Sequence, residues 1–225
     1  MKNKSYIWIS FIVLVFGIIF IPKIVDRLKE GKVVDANRHE VGKKEVDEKL
    51  VTIGKSSPFE FVNQNGDSIS STYYDGKVYV IEFFFTTCPS ICPIMNQNMI
   101  LLQNEFISED NFGIASFTIN PENDTSEVLK AYADKYGVKS PHWHMFTGDK
   151  DKIYELANKG FNIYAGENPE ADGGFEHSGL FALIDKQGNI RCRIDANGNP
   201  IVYYDGINDE GIIMIKEDIE KLLKE

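Results

Sequence analysis

Apolar and polar positions alternate in blocks along this 225-residue chain, and the blocks read as elements. Tyr6 to Pro22 is uncharged and almost continuously apolar, the pattern of a short membrane-spanning helix. Residues 23–50 are dense in charge and read as a tether. From Val51 the pattern becomes that of a folded domain. Phe59–Val62 runs into the turn-forming Asn63–Asp67, as a strand entering a hairpin does. Val78–Phe85 is apolar without alternation, as expected of a strand buried on both faces. Ile91, Met95, Met99, Leu102 and Phe106 then recur at helical spacing.

Phe112–Ile119 predicts a second central strand. Asp124-Thr125-Ser126-Glu127 resembles a capping box, opening a helix that carries Val128, Leu129, Tyr132 and Tyr136 and stops at Gly137. A short strand is expected at Trp143–Thr147, and a helix from about Lys150 to Asn158. Residues 160–178 read as a long polar loop with four glycines. Leu180–Ile184 and Ile190–Ile194 flank a turn at Asp185–Asn189. Ile212, Ile215, Ile219, Leu222 and Leu223 mark a closing amphipathic helix. The resulting order, β-α-β-α-β-β-α with an N-terminal β extension, is that of an α/β, thioredoxin-like fold preceded by one transmembrane helix.

Charge changes the picture in one respect. Residues 51–225 carry fourteen basic and twenty-seven acidic side chains, a net of −13, so the domain should repel nucleic acid. Residues 23–50 are nearly balanced, at eight basic and seven acidic. The apolar start has no small-residue cleavage pattern and no lipobox cysteine, so it reads as an uncleaved anchor. Lys2 and Lys4 precede it, while Lys23, Arg27, Lys29 and Lys32 follow closely, so basic residues alone do not orient it. Four segments result: residues 1–5, an anchor at 6–22, a tether at 23–50 and the domain at 51–225.

The chemistry lies in three side chains. Cys88-Pro89-Ser90-Ile91-Cys92 sits where the apolar strand turns into the following helix, and a helix N-terminus stabilises thiolate. The spacing is one residue longer than a redox C-x2-C, so metal capture competes with disulfide exchange. Three cysteines are too few for a disulfide framework; one close pair reads as a site. The best third partner is His177, just before the penultimate strand, which in this order neighbours the strand ending at Cys88. Two thiolates and an imidazole suit copper or zinc, and structural zinc would require a fourth strong ligand. Cys192 reads as a buried small hydrophobe, Met95 and Met99 as core, and His39 as tether. His142 and His144 share one face of an extended segment as exposed polar residues.

Phe83-Phe84-Phe85-Thr86-Thr87-Cys88-Pro89-Ser90-Ile91-Cys92-Pro93-Ile94-Met95 resembles the signature of the Sco/SenC family of copper chaperones. Thr118–Thr125, followed by Glu127–Tyr132, is similar to that family's next block, and Glu176-His177-Ser178 falls where the family keeps a metal-binding histidine. The resemblance covers roughly residues 52–223. Asn120 and Glu176 stand where the family usually has aspartates. The resemblance implies copper held by Cys88, Cys92 and His177, and a thioredoxin-like domain on the outer side of the cytoplasmic membrane. It implies help in maturing the binuclear copper site of cytochrome c oxidase, by copper delivery, by cysteine reduction, or both. Implied partners are the copper-site subunit of the oxidase and other copper chaperones or thioredoxin-like reductants. An extracytoplasmic thiol-disulfide oxidoreductase, with Cys88 and Cys92 as redox thiols, is the alternative function.

Overall fold

β4 (Val78–Phe84) is buried along its whole length and forms the axis of the fold. In the computed structural model, described for residues 10, 14–22, 49–195 and 197–225, it pairs in parallel with β5 (Phe112–Thr118). β5 pairs in parallel with β6 (Trp143–Thr147). On its other side β4 meets β9 (Leu180–Ile184) antiparallel, and β9 continues into β10 (Asn189–Ile194). β1 (Val51–Lys55), β2 (Glu60–Asn63) and β3 (Ser68–Ser70) extend the edges, giving the order β1-β10-β9-β4-β5-β6-β2-β3. The expected α/β, thioredoxin-like fold is present, and the penultimate long strand does neighbour the strand that leads to Cys88.

α1 (Cys92–Phe106) and α2 (Ser126–Tyr136) connect the parallel strands. Two right-handed crossovers stepping the same way put both helices on one face of the sheet. Asn96 of α1 accordingly donates to the Tyr132 hydroxyl of α2 at 3.0 Å. Neighbours along β4 face opposite ways: the Phe84 ring packs on Tyr132, whereas Phe83 packs on Phe161. The expected stripe of α1 is buried at Met95, Met99, Leu102 and Phe106. α4 (Asp209–Lys224) closes the domain and buries Ile212, Ile215, Ile219 and Leu222.

Several expectations are revised. The helix near residue 150 splits into α3 (Lys150–Glu155) and a π turn, Leu156–Gly160. The long polar loop contains a ribbon of β7 (Ala165–Glu167) and β8 (Phe175–His177), so His177 stands on a strand. Two-residue strands β11 (Pro200–Ile201) and β12 (Tyr204–Asp205) border β10 and β9. Asp124 does not cap α2; Thr125 does, accepting from Val128 N at 3.4 Å. His144 is buried, not exposed, with its Nδ1 3.2 Å from Asn63 Nδ2. Cys192 is buried as expected.

The expected transmembrane helix, and with it the single-pass inner-membrane location, is also corrected. Of residues 6–22 the structure describes Ser10 and residues 14–22, and among the described residues no helix is long and apolar enough to cross a membrane. Residues 1–5, most of the expected tether (23–48) and His39 lie outside the described residues. By backbone contacts the chain separates into Met1–Glu45 and Val46–Glu225, and the site lies in the second unit.

Candidate metal centre

β4 ends at Phe84 and α1 begins at Cys92, so the segment between them must turn sharply at the sheet's C-terminal edge. Pro93 in the first helical turn costs no hydrogen bond there, because those N–H groups have no partner within the helix. The segment is fixed from beneath by Asp124. Its buried carboxylate accepts from Thr86 N at 3.0 Å, from Asn123 Nδ2 at 2.8 Å, and from the hydroxyls of Thr86 and Thr118. Thr118 ends β5, so this carboxylate ties the cysteine segment to the neighbouring strand. Asn120 completes the same turn through its backbone: its carbonyl accepts from Asn123 N and Asp124 N.

The β7–β8 ribbon brings the imidazole. Its register sets Ala165 opposite His177 and Glu167 opposite Phe175. Gly173 lets the chain enter this ribbon close to the cysteine segment. It has φ +81°, and a Cβ there would stand 2.8 Å from the Phe85 ring. The Phe85 ring meets His177 edge-on at 5.8 Å. His177 Nδ1–H donates to the Ser178 carbonyl at 3.1 Å, which leaves the Nε2 lone pair facing Cys92 Sγ, also at 3.1 Å.

Cys88 Sγ, Cys92 Sγ and a His177 ring nitrogen all lie within 4.8 Å of one another. The two sulfurs are not equivalent. Cys88 lines a cavity of about 190 Å³ together with Ser90, Ile91, Phe175 and His177, whereas Cys92 is fully buried beneath it. Cys88 Sγ accepts from the Cys92 amide at 3.5 Å and lies 3.7 Å from Ser90 Oγ. Its acidity is increased, chiefly by the Cys92 thiol, with the amides of Cys92 and Ser90 assisting against desolvation. The Cys92 thiol is pushed up, first by the adjacent Cys88 sulfur and then by burial. Cys88 is therefore the accessible thiolate and Cys92 the proton-bearing partner, the polarity that either ligand capture or disulfide exchange requires.

Two soft sulfurs and one imidazole with an oriented lone pair fit a thiophilic ion. The ring contacts fix His177, and the Asp124 network fixes the sulfurs. The SCO1/SenC family model matches residues 48–210, which span both the cysteine pair and the histidine. This chain belongs to the SCO1/SenC family. A SCO1 protein homolog of Bacillus subtilis (strain 168) is 34% identical over 152 residues, 67% of this chain and 77% of its own length. BsSco, described as a member of the Sco family of cytochrome c oxidase assembly proteins with a disulfide switch, is similar in structure. It aligns with a TM-score of 0.65 and 28% identity, over 79% of this chain and 98% of that one. Yeast Sco1 with copper bound aligns with a TM-score of 0.56 and 25% identity, over 74% of this chain and 89% of that one.

Sequence reasoning found Cys88, Cys92 and His177, which the fold brings together. His142 and His144 lie away from them: His142 Nδ1 is 2.7 Å from the Tyr73 hydroxyl, and His144 packs on the Tyr73 ring. Asp124, and Asn96, whose Nδ2 donates to the Cys92 carbonyl at 2.8 Å, support the site, and neither role was read from the sequence. Glu82, the one charge within otherwise apolar β4, is buried and accepts from the Ser116 hydroxyl at 2.6 Å.

Proposed function

We propose that this SCO1/SenC protein binds one copper ion through Cys88, Cys92 and His177 and serves maturation of the binuclear copper site of cytochrome c oxidase. The observation that carries the reading is the convergence of two sulfurs and an oriented imidazole nitrogen within 4.8 Å. Copper(I) is satisfied by two thiolates, and the His177 nitrogen completes a three-coordinate set that also suits copper(II) with one further weak ligand. With Cys88 open to the cavity and Cys92 beneath, an incoming thiolate reaches the metal from one side, so copper passes to a partner by ligand exchange. The copper seen in yeast Sco1 and the oxidase-assembly description of BsSco support the same reading. The domain of residues 51–225 is the proposed copper-binding unit.

A second reading draws on the inequality of the sulfurs. An accessible thiolate at Cys88 and a protonated thiol behind it suit reduction of a partner's disulfide, with Cys92 resolving the mixed disulfide. The two readings are compatible, since a partner must hold reduced thiols to receive copper. Copper titration of the full chain tests the first: one equivalent is expected, lost in Cys88→Ala and in Cys92→Ala, with altered thiolate-to-copper(II) absorption in His177→Ala. Full stoichiometry in the doubly substituted protein refutes it.

A further inference from the structure

His177 reaches the two sulfurs from a ribbon with three residues a strand, and a ribbon so short does not hold its own place. Among the described residues, its polar anchors to the rest of the domain, the sulfur site aside, come from one neighbouring segment, α3 and the π turn that follows it. Lys150 Nζ lies 2.5 Å from Glu167 Oε1, but both side chains are partly exposed and such pairs hold weakly. The other anchor is Asn158. Its Nδ2 donates to the carbonyl of buried Ala165 at 2.8 Å, and its Oδ1 accepts from Ala165 N at 3.2 Å. The side-chain amide thus pairs with Ala165 as a strand residue would. Nδ2 also donates to the Tyr154 carbonyl at 3.0 Å, so three bonds agree on which end of the amide is oxygen.

Ala165 turns both its N–H and its carbonyl towards Asn158, and therefore away from β8. In an antiparallel ladder this makes it the non-hydrogen-bonded partner of His177, the closer of the two kinds of pair, with Cα atoms about 4.5 Å apart and both side chains on one face. The ladder bond falls on the neighbours, where Ser178 N donates to the Tyr164 carbonyl at 3.3 Å. A shift of Ala165 is therefore passed directly to the imidazole. The π turn puts Asn158 in reach: Phe161 N donates to the Leu156 carbonyl at 3.0 Å, a five-residue step, and Ile163 N donates to the Ala157 carbonyl at 2.9 Å, which folds the chain back past Asn158. At its other end the same segment meets the support of the sulfurs. The Tyr154 hydroxyl donates to the Ile119 carbonyl at 3.0 Å, at the start of the turn that carries Asp124.

We propose that Asn158 is the positioning residue for His177, and that by holding the imidazole against the two sulfurs it sets how well the site retains copper(II) relative to copper(I). The inference rests on the copper reading above. Copper(I) is satisfied by two thiolates, so a displaced imidazole costs it little, whereas copper(II) needs the nitrogen. Asn158 bonds to none of the three ligands and acts through Ala165 alone. Its loss therefore weakens one oxidation state and spares the other.

The test compares the full chain with Asn158→Ala, without oxygen, by competition with a copper(II) chelator and separately with a copper(I) chelator. Copper(II) affinity is expected to fall by about 10- to 100-fold, the range for residues that orient metal ligands, and copper(I) affinity to stay within about threefold. Equal weakening of both oxidation states overturns the proposal. In a His177→Ala background the same substitution is expected to change copper(II) affinity by less than about threefold, because the imidazole it positions is gone; an equal loss in both backgrounds overturns the proposal. In the metal-free protein the Ala165 amide should exchange its hydrogen at least about tenfold faster in Asn158→Ala, and an unchanged rate removes the bond on which the proposal stands. Asn158→Asp is nearly isosteric, keeps the acceptor for Ala165 N and loses both donors. It carries the copper test if Asn158→Ala does not fold, with a copper(II) loss in the same direction expected and parent-like affinity overturning the proposal. If the parent binds no copper, the copper reading falls with it; if the parent binds and the variant matches it in both oxidation states, only the role of Asn158 falls.

Discussion

Asp124→Asn perturbs the support of the metal site without touching a ligand, and its cost follows from the bonding pattern. The Asp124 carboxylate is buried and receives donors on both oxygens: Thr86 N and the Thr118 hydroxyl on Oδ2, the Thr86 hydroxyl and Asn123 Nδ2 on Oδ1. A backbone N–H cannot reverse its role, so the amide oxygen of the variant must take the Oδ2 place and its NH2 group the Oδ1 place. The Thr86 hydroxyl can turn and accept there. Asn123 Nδ2, 2.8 Å away, then faces another donor, so this exposed amide must flip to accept, and every bond at the site is now to a neutral group where it was to a charged one. A hydrogen bond to a charged group contributes about 1.5–3 kcal/mol, so the variant should lose about 2 kcal/mol of stability. Thr86 lies two residues before Cys88, so the loosened segment should also weaken copper binding, by about tenfold if it behaves like other supports of metal ligands. Urea unfolding gives the first quantity and competition with a copper chelator the second. A stability loss below about 0.5 kcal/mol, together with unchanged copper affinity, would refute the argument that this carboxylate positions the cysteine segment.

The parts legible in the sequence were those where one force dominates. Val78–Phe84 reads as a central strand because burial on both faces leaves no polar positions except Glu82. The α1 stripe is legible because its residues share one helical face, all in the core. The cysteine pair and His177 were found because few other residue types do that chemistry. What stayed hidden was non-local or small. β1 pairs with β10 across more than 130 residues, and its side chains are mostly exposed, so no alternation betrays it. The β7–β8 ribbon has three residues a strand, with Gly166 inside one and Gly173-Gly174 before the other, and its pairing is set by backbone geometry that composition does not encode. Asp124 looked like a helix cap because Asp and Thr compete for that role in sequence. Its side chain serves the cysteine segment instead, and Thr125 does the capping. Glu82 was visible as an anomaly, but its partner Ser116, and the Trp143 indole that donates to Ser116, lie on other strands.

Two further outcomes test the surroundings of the site and the far end of the sheet. Gly173→Ala places a Cβ at φ +81° and 2.8 Å from the Phe85 ring, which should cost about 1–3 kcal/mol and lift the ribbon from the cysteine segment. Faster alkylation of Cys88 is the readout, and an unchanged rate with unchanged stability would show that this close approach restrains nothing. His144 concerns pH. Burial, and secondarily the charge of His142, lowers its pKa to about 4, and the nearby amide of Asn63 can donate to its neutral ring at Nδ1. Unfolding restores an ordinary value of about 6.5, so between these limits the unfolded chain binds the extra proton. The contribution of His144 is therefore complete above about pH 6.5 and is lost as pH falls towards 4. His144→Phe should be less stable than the parent at pH 7.5, having stranded the Asn63 amide, yet lose less stability on going to pH 5. Urea midpoints at the two pH values decide it: equal losses in both proteins would mean that the imidazole is charged inside the fold or that water reaches it, and either would undo the reading of His144 as a buried neutral base.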